Sequence, residues 1–113
     1  MRTAILLLCA CFATAASAAP LSGWAVISPD GEIVRSSHAV GASNNGSGIY
    51  IIEFARAVQH CAFTAALGDE AGQTPAGYVT VAAAFQDPTG VYVTTFDAGG
   101  AMVNRGFHLN VRC

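Results

Sequence analysis

The chain has 113 residues, of which 53% are hydrophobic and only 11% charged, with a formal net charge of −2. It contains no lysine, and beyond residue 18 Arg35, Arg56, Arg105 and Arg112 face seven carboxylates. The basic footprint that nucleic acid or an anionic membrane surface requires is missing. The length suits one domain, and low charge with many apolar residues excludes a disordered chain.

Residues 1–18 read as an export signal. Arg2 supplies the positive start, residues 4–12 (AILLLCACF) the apolar run, and Ala16-Ser17-Ala18 an A-x-A site that places cleavage between Ala18 and Ala19. The run is too short to cross a hydrocarbon core of ~30 Å as a helix, and no later run is longer, so no transmembrane segment is expected. Leu8-Cys9-Ala10-Cys11 resembles a degraded lipoprotein box with Cys11 as the lipidated residue. The short apolar run before Cys11 and the good site downstream favour cleavage and release to the periplasm or medium. The folded domain is then residues 19–113.

Strand signals dominate that domain. Residues 23–28 (GWAVIS) form the first run, and Pro29-Asp30-Gly31 turns the chain into residues 32–36 (EIVRS). Residues 38–42 follow as a weaker strand, then Asn44-Asn45-Gly46-Ser47-Gly48, with the Asn-Gly pair of a tight hairpin. Residues 49–54 (IYIIEF) are the next strand. Residues 55–60 fit either one helical turn or an irregular edge. Residues 61–67 read as a strand because Phe63 and Thr64 lie at its centre and Gly68 stops it. After a polar loop come residues 78–85, the turn Asp87-Pro88-Thr89-Gly90, residues 91–96, the turn Asp97-Ala98-Gly99-Gly100, and residues 107–112 (FHLNVR). Short alternating runs at this spacing predict an all-β fold, a single antiparallel β-sandwich of about seven to eight strands. Residues 48–54 and 90–96 share the string G-[IV]-Y-[IV]-x-x-F, but their flanks differ, so chance explains the echo better than a repeat.

Strand parity says where side chains point. Phe107, Leu109 and Val111 form the apolar face of the last strand, and Cys113 shares their parity. Cys61 shares parity with Phe63, Ala65 and Leu67. With Cys9 and Cys11 removed in the signal, Cys61 and Cys113 are the two thiols left in an oxidising compartment, and they are expected to form a disulfide. Closing a loop of about 52 residues stabilises the fold by roughly 4 kcal/mol. Tyr50, Ile52 and Phe54 share one face of their strand, yet Ile49 and Ile51 make the other face apolar too. Either a second sheet or a second subunit covers them, so Ile49 and Ile51 are the expected self-association residues of a dimer or trimer.

Catalytic signatures are lacking: no H-E-x-x-H, G-x-S-x-G, Walker A or EF-hand string occurs. His60 beside Cys61 points to the opposite face of a strand, which suits a disulfide better than a nucleophilic pair. Ser36-Ser37-His38 with Asp30 supplies triad residue types, but triads form by convergence in space, and a polar hairpin edge is the plainer reading. A small hydrolase or lyase would have to use His38 or His108, and no catalytic residue is assigned. No metal or cofactor motif is present. Asp87 and Asp97 flank one strand and suit either a Ca²⁺ loop or ordinary turn chemistry. Asn45-Gly46-Ser47 fits a glycosylation sequon, though the hairpin turn explains it better. Trp24, Tyr50, Tyr78 and Tyr92 offer sugar-stacking surfaces if exposed. Most aromatics in so small a domain are core, and Trp24, near the start of the domain, is the exception that would make a carbohydrate-binding module.

Taken in order, Trp24 to Gly31 (W-A-V-x-x-x-D-G), residues 48–54, 61–69 (C-A-F-T-A-A-L-G-D), 75–81 (P-A-G-Y-V-T-V), 90–97 and 107–113 (F-H-L-N-V-R-C) resemble a group of uncharacterised secreted bacterial proteins with paired cysteines. More distantly they are similar to the β domains that tip phage tail fibres. The resemblance implies a β-sandwich used in structure or adhesion, with a trimer as a candidate assembly, and it supplies no catalytic residue.

Overall fold

The computed structural model describes residues 22–113. The signal, its cleavage site, Cys9 and Cys11 lie outside the described residues. Eight strands form: β1 Ser22–Ile27, β2 Ile33–Ser37, β3 Ala39–Asn44, β4 Ile49–Phe54, β5 Ala62–Leu67, β6 Gly77–Ala83, β7 Gly90–Asp97 and β8 Phe107–Arg112. They make two four-stranded antiparallel sheets, sheet A in the order β2-β1-β8-β5 and sheet B in the order β3-β4-β7-β6. The fold is the all-β sandwich that the alternation predicts.

Period-two patterning sorts each strand into an inner and an outer face. In β8, Phe107, Leu109 and Val111 are buried while His108, Asn110 and Arg112 are exposed. Tyr50, Ile52 and Phe54 from β4 and Val91 and Val93 from β7 close the core from the other side. The Tyr50 ring meets Phe107 edge-on, with centroids 4.9 Å apart and planes at 72°, so one aromatic contact joins sheet B to sheet A. The Tyr50 hydroxyl donates to the Pro29 carbonyl at 2.6 Å. Burial pushes this phenol above its ordinary pKa of 10.0, so it remains a hydrogen-bond donor at neutral pH.

Turn chemistry fixes the connections. Gly31 adopts φ 88° and its N–H closes the β1–β2 hairpin on the Ser28 carbonyl at 3.0 Å. Gly48 adopts φ 84°, and a Cβ there would stand 2.8 Å from the carbonyl oxygens of both Thr95 and Val103. No other residue fits that space. Asn104 Oδ1 accepts from the Gly48 N–H at 2.7 Å and from Asn44 Nδ2 at 3.1 Å. The β3–β4 turn is thereby fastened to the β7–β8 connection.

Two local expectations change, and the open reading of residues 55–60 is settled. His38 is the single residue between β2 and β3, and its φ of 71° breaks the strand expected to start there. It carries the chain from sheet A to sheet B, and its carbonyl accepts the Ala55 N–H at 2.9 Å. Residues 55–60 form no helix; they bend so that Val58 is fully buried, with its N–H on the Pro88 carbonyl at 2.8 Å. β6 ends at Ala83, two residues early, because Gln86 takes φ 54° in a loop closed by Ala84 N–H to Gly90 O at 3.0 Å. Phe85 is left 89% exposed. The shared string of residues 48–54 and 90–96 is no repeat: β4 and β7 are antiparallel neighbours in which Tyr50 faces Val93 and Ile51 faces Tyr92, so the two tyrosines point to opposite sides.

Cys61 and Cys113 are bridged, with Cα atoms 4.3 Å apart and a sequence separation of 52. They extend the Ala62–Arg112 pair at the end of the β5–β8 ladder, so the bridge lies within sheet A. Cys61 packs against the core, whereas Cys113 lies past the last core layer and is exposed. Reduction of this bridge is expected to lower the unfolding free energy by about 2–4 kcal/mol, read as a lower urea midpoint for the reduced protein. Equal midpoints would show that the bridge contributes nothing.

Candidate functional site

Sheet A turns a largely polar surface outward. From β1 it presents Trp24 and Val26, from β2 Arg35, from β8 His108, Asn110 and Arg112, and from β5 Thr64. The register sets these in rows. Arg35, Val26, His108 and Ala66 form one, and Trp24, Asn110 and Thr64 the next. Val26 is only 3% exposed between its polar neighbours, while Trp24 is 39% exposed. A shallow groove of about 280 Å³ runs between Trp24, Arg35, His108 and Asn110. A smaller hollow of about 130 Å³ lies across the His108–Asn110 ridge, against Thr64. Among the described residues, the outward strand positions of this sheet hold two arginines and a histidine and no carboxylate. The face is therefore cationic in a chain whose net charge is negative.

Trp24 and His108, singled out separately in the sequence, thus line one groove. His38 stands beside them at the β2–β3 corner, bridged to Trp24 along the backbone. Its Nδ1 lies 3.2 Å from the Ser37 hydroxyl. Asp30 is in the turn at the other end of β2, so the triad residue types do not converge. Ser36 donates its hydroxyl proton to the Ala39 carbonyl at 3.2 Å. His60 contacts the Gln59 amide, and the Cys61 sulfur is taken by the disulfide. Asp97 sits at one end of β7 and Asp87 before the other, and the turns use both. Asp97 Oδ1 accepts the N–H groups of Gly99 and Ala101 at 2.9 and 3.0 Å, and Asp87 Oδ1 accepts from Thr89 N at 3.3 Å.

Ile49 and Ile51 lie half-buried on the outer face of sheet B, with Ile51 between Ser43 and Tyr92. The second sheet covers Tyr50, Ile52 and Phe54 and leaves the two isoleucines facing away. Tyr78 and Tyr92, expected in the core, are 50% and 37% exposed on this same face.

One constellation was missed in the sequence. Glu53 on β4 meets Asp87 in the β6–β7 loop, and the Thr89 hydroxyl lies 2.7 Å from Glu53 Oε2 and 3.1 Å from Asp87 Oδ1. The hydrogen bond to Asp87 and then burial raise the Glu53 pKa, while the same bond lowers that of Asp87. The pair thus favours a proton on Glu53 and a charge on Asp87. Their spacing in sequence gives no signal, because only the long-range β4–β7 pairing brings them together.

No family model, curated protein or solved structure matches the chain.

These opposed shifts have a pH signature. With its folded pKa raised, Glu53 contributes stability that is full below its ordinary value of 4.5 and lost as pH rises through the folded value. Asp87, lowered, contributes stability present above its ordinary value of 3.8 and lost as pH falls through the folded value. Glu53→Gln keeps a donor to Asp87 at every pH. Its Tm is expected to fall less than that of the native protein between pH 4.5 and neutrality. Superimposable Tm profiles would show that the opposed shifts do not occur.

Proposed function

We propose that this chain is an exported, non-enzymatic binding module that lays an acidic saccharide along the outer groove of sheet A. The observation that carries the reading is Trp24, an aromatic ring left partly exposed beside a polar groove rather than packed in the core. A sugar ring presents C–H groups that pack on an indole face, and its hydroxyls suit the amide of Asn110 and the hydroxyl of Thr64. Arg35 and Arg112 on the same face favour a carboxylate-bearing sugar, because a guanidinium binds a carboxylate in a fork. His108 sits in the groove with Arg35 and Asn110 nearby, not with the carboxylate that a general acid–base pair would use.

Export accords with the A-x-A signal and with a disulfide that persists in an oxidising compartment. Among the described residues no helix is long and apolar enough to cross a membrane. An adhesive role, implied by the resemblance to secreted β domains and tail-fibre tips, is compatible with a saccharide ligand.

Trp24 is the only tryptophan in the chain, so its fluorescence reports on the groove directly. Titration with polygalacturonate is expected to shift or quench that emission, and neutral dextran to do so less. By calorimetry, Trp24→Ala is expected to weaken polygalacturonate binding about tenfold, an amount in keeping with loss of one stacked ring, with the urea midpoint retained. No response to polygalacturonate would remove the acidic-saccharide reading, and undiminished binding by Trp24→Ala would move the site away from the groove.

A further inference from the structure

The four edge strands of the sandwich are not alike. On one flank, the β1–β2 register slips between Val26 and Ile27, the β3–β4 register slips between Ala39 and Gly41, and β2 carries Arg35. Bulges and charges of this kind stop an edge from pairing with another chain. On the opposite flank, β5 (AFTAAL) and β6 (GYVTVAA) run in unbroken register with β8 and β7 and carry neither charge nor proline. The two strands lie side by side along this flank. Among the described residues, no strand pairs with the outer edge of either.

The hydrogen-bonding phase of β6 follows from its neighbours. Ala84 N–H bonds to Gly90 O at 3.0 Å, while Thr95 N–H bonds across to Gly48 O at 2.8 Å, on the β4 side. Antiparallel ladders alternate, so Tyr78, Thr80 and Ala82 exchange bonds with β7. The main-chain groups of Val79 and Val81 point away from it, to the open edge. Their side chains pack inward against the core, while Tyr78, Thr80 and Ala82 are exposed on the outer face.

We propose that β6 pairs antiparallel with β6 of a second copy of this chain, about a two-fold axis at Thr80. In that register Val79 lies opposite Val81 of the second copy, and their free N–H and C=O groups satisfy each other. Tyr78 lies opposite Ala82 of the second copy. Inner faces meet inner faces, outer faces meet outer faces, and no charge is brought against its like. Sheet B becomes one continuous sheet of twice the width, carrying Ile49 and Ile51 of both copies on a single surface. The same axis sets β5 against β5 in the sheet beneath, which accounts for the lack of protection on both strands of this flank and on neither strand of the other. A second copy is the occupant that fits, because about Thr80 the uncharged strand sets its valines against each other on the inner face and Tyr78 against the small Ala82 on the outer face.

Light scattering after gel filtration of the disulfide-intact protein is expected to give twice the chain mass at micromolar concentration. The two Thr80 residues would face each other at a non-hydrogen-bonded position, with Cα atoms about 4.5 Å apart, close enough for a cysteine pair to bridge. Thr80→Cys is expected to form an intermolecular disulfide on mild oxidation, and Ser43→Cys on the protected flank is not. Thr80→Lys and Thr80→Glu should each weaken the dimer about tenfold or more by placing like charges directly opposite, and mixing the two should restore a one-to-one dimer. A native protein that stays monomeric throughout the micromolar range overturns the proposal. So does a trimer, or a dimer that Thr80→Lys leaves intact.

Discussion

The edge-on contact between Tyr50 and Phe107 is the point on which the two sheets are set. Tyr50 comes from the middle of sheet B and Phe107 opens the central strand β8 of sheet A. The hydroxyl of the same tyrosine reaches past the core to the β1–β2 turn. One side chain therefore fixes sheet spacing and the position of a hairpin together. A buried phenol without that carbonyl would leave a polar group unpaired at a cost of about 1–3 kcal/mol. Because the contact consumes the inner faces, whatever the protein recognises has to be met by outer faces, edges or loops.

Charge is segregated accordingly. Three carboxylates in or beside connections accept backbone N–H groups: Asp69 holds Ala71 and Gln73, Asp87 holds Thr89, and Asp97 holds Gly99 and Ala101. These three aspartates serve turn chemistry. The outward strand positions of sheet A are cationic, whereas sheet B carries no basic residue and holds Glu53 on β4 and Asp97 at the end of β7. Net charge alone therefore misdescribes the surface that a ligand would meet.

The sequence made the strands and the disulfide legible because both depend on local pattern. β8 alternates without a fault, and parity placed Cys61 on the core side. Residues whose role depends on a long-range neighbour were not legible. Val58 lies in a stretch with no periodicity, and only the loop around Pro88 shows that it is a core plug. Glu53 and Asp87 are far apart along the chain. His38 looked like a strand residue because nothing local announces a left-handed corner between sheets, although histidine tolerates that conformation better than most residues. Phe85 continued an apolar run in sequence, and a turn held by Gly90 and Ala84 removes it from the strand. For the groove, the sequence offered Trp24 and His108 as separate candidates, and the β1–β8 pairing brings them together. The openness of the β6 edge is visible only when topology shows which strands have a neighbour on each side.

Strand order also governs when this protein is able to fold. β8 is the last strand along the chain, yet it lies between β1 and β5 at the centre of sheet A and carries Phe107 into the core. Until it is present, β1 and β5 have no partner in common and the sandwich has only one complete sheet. Pairing the first strand with the last also gives the fold non-local contacts, which slow folding. A chain that emerges from its amino end would hold β1 and β5 waiting for β8 to come between them. It would close in a late, concerted step that oxidation of Cys61 and Cys113 then seals. The cost of that order is a fold that holds one finished sheet and one open one until its final strand arrives.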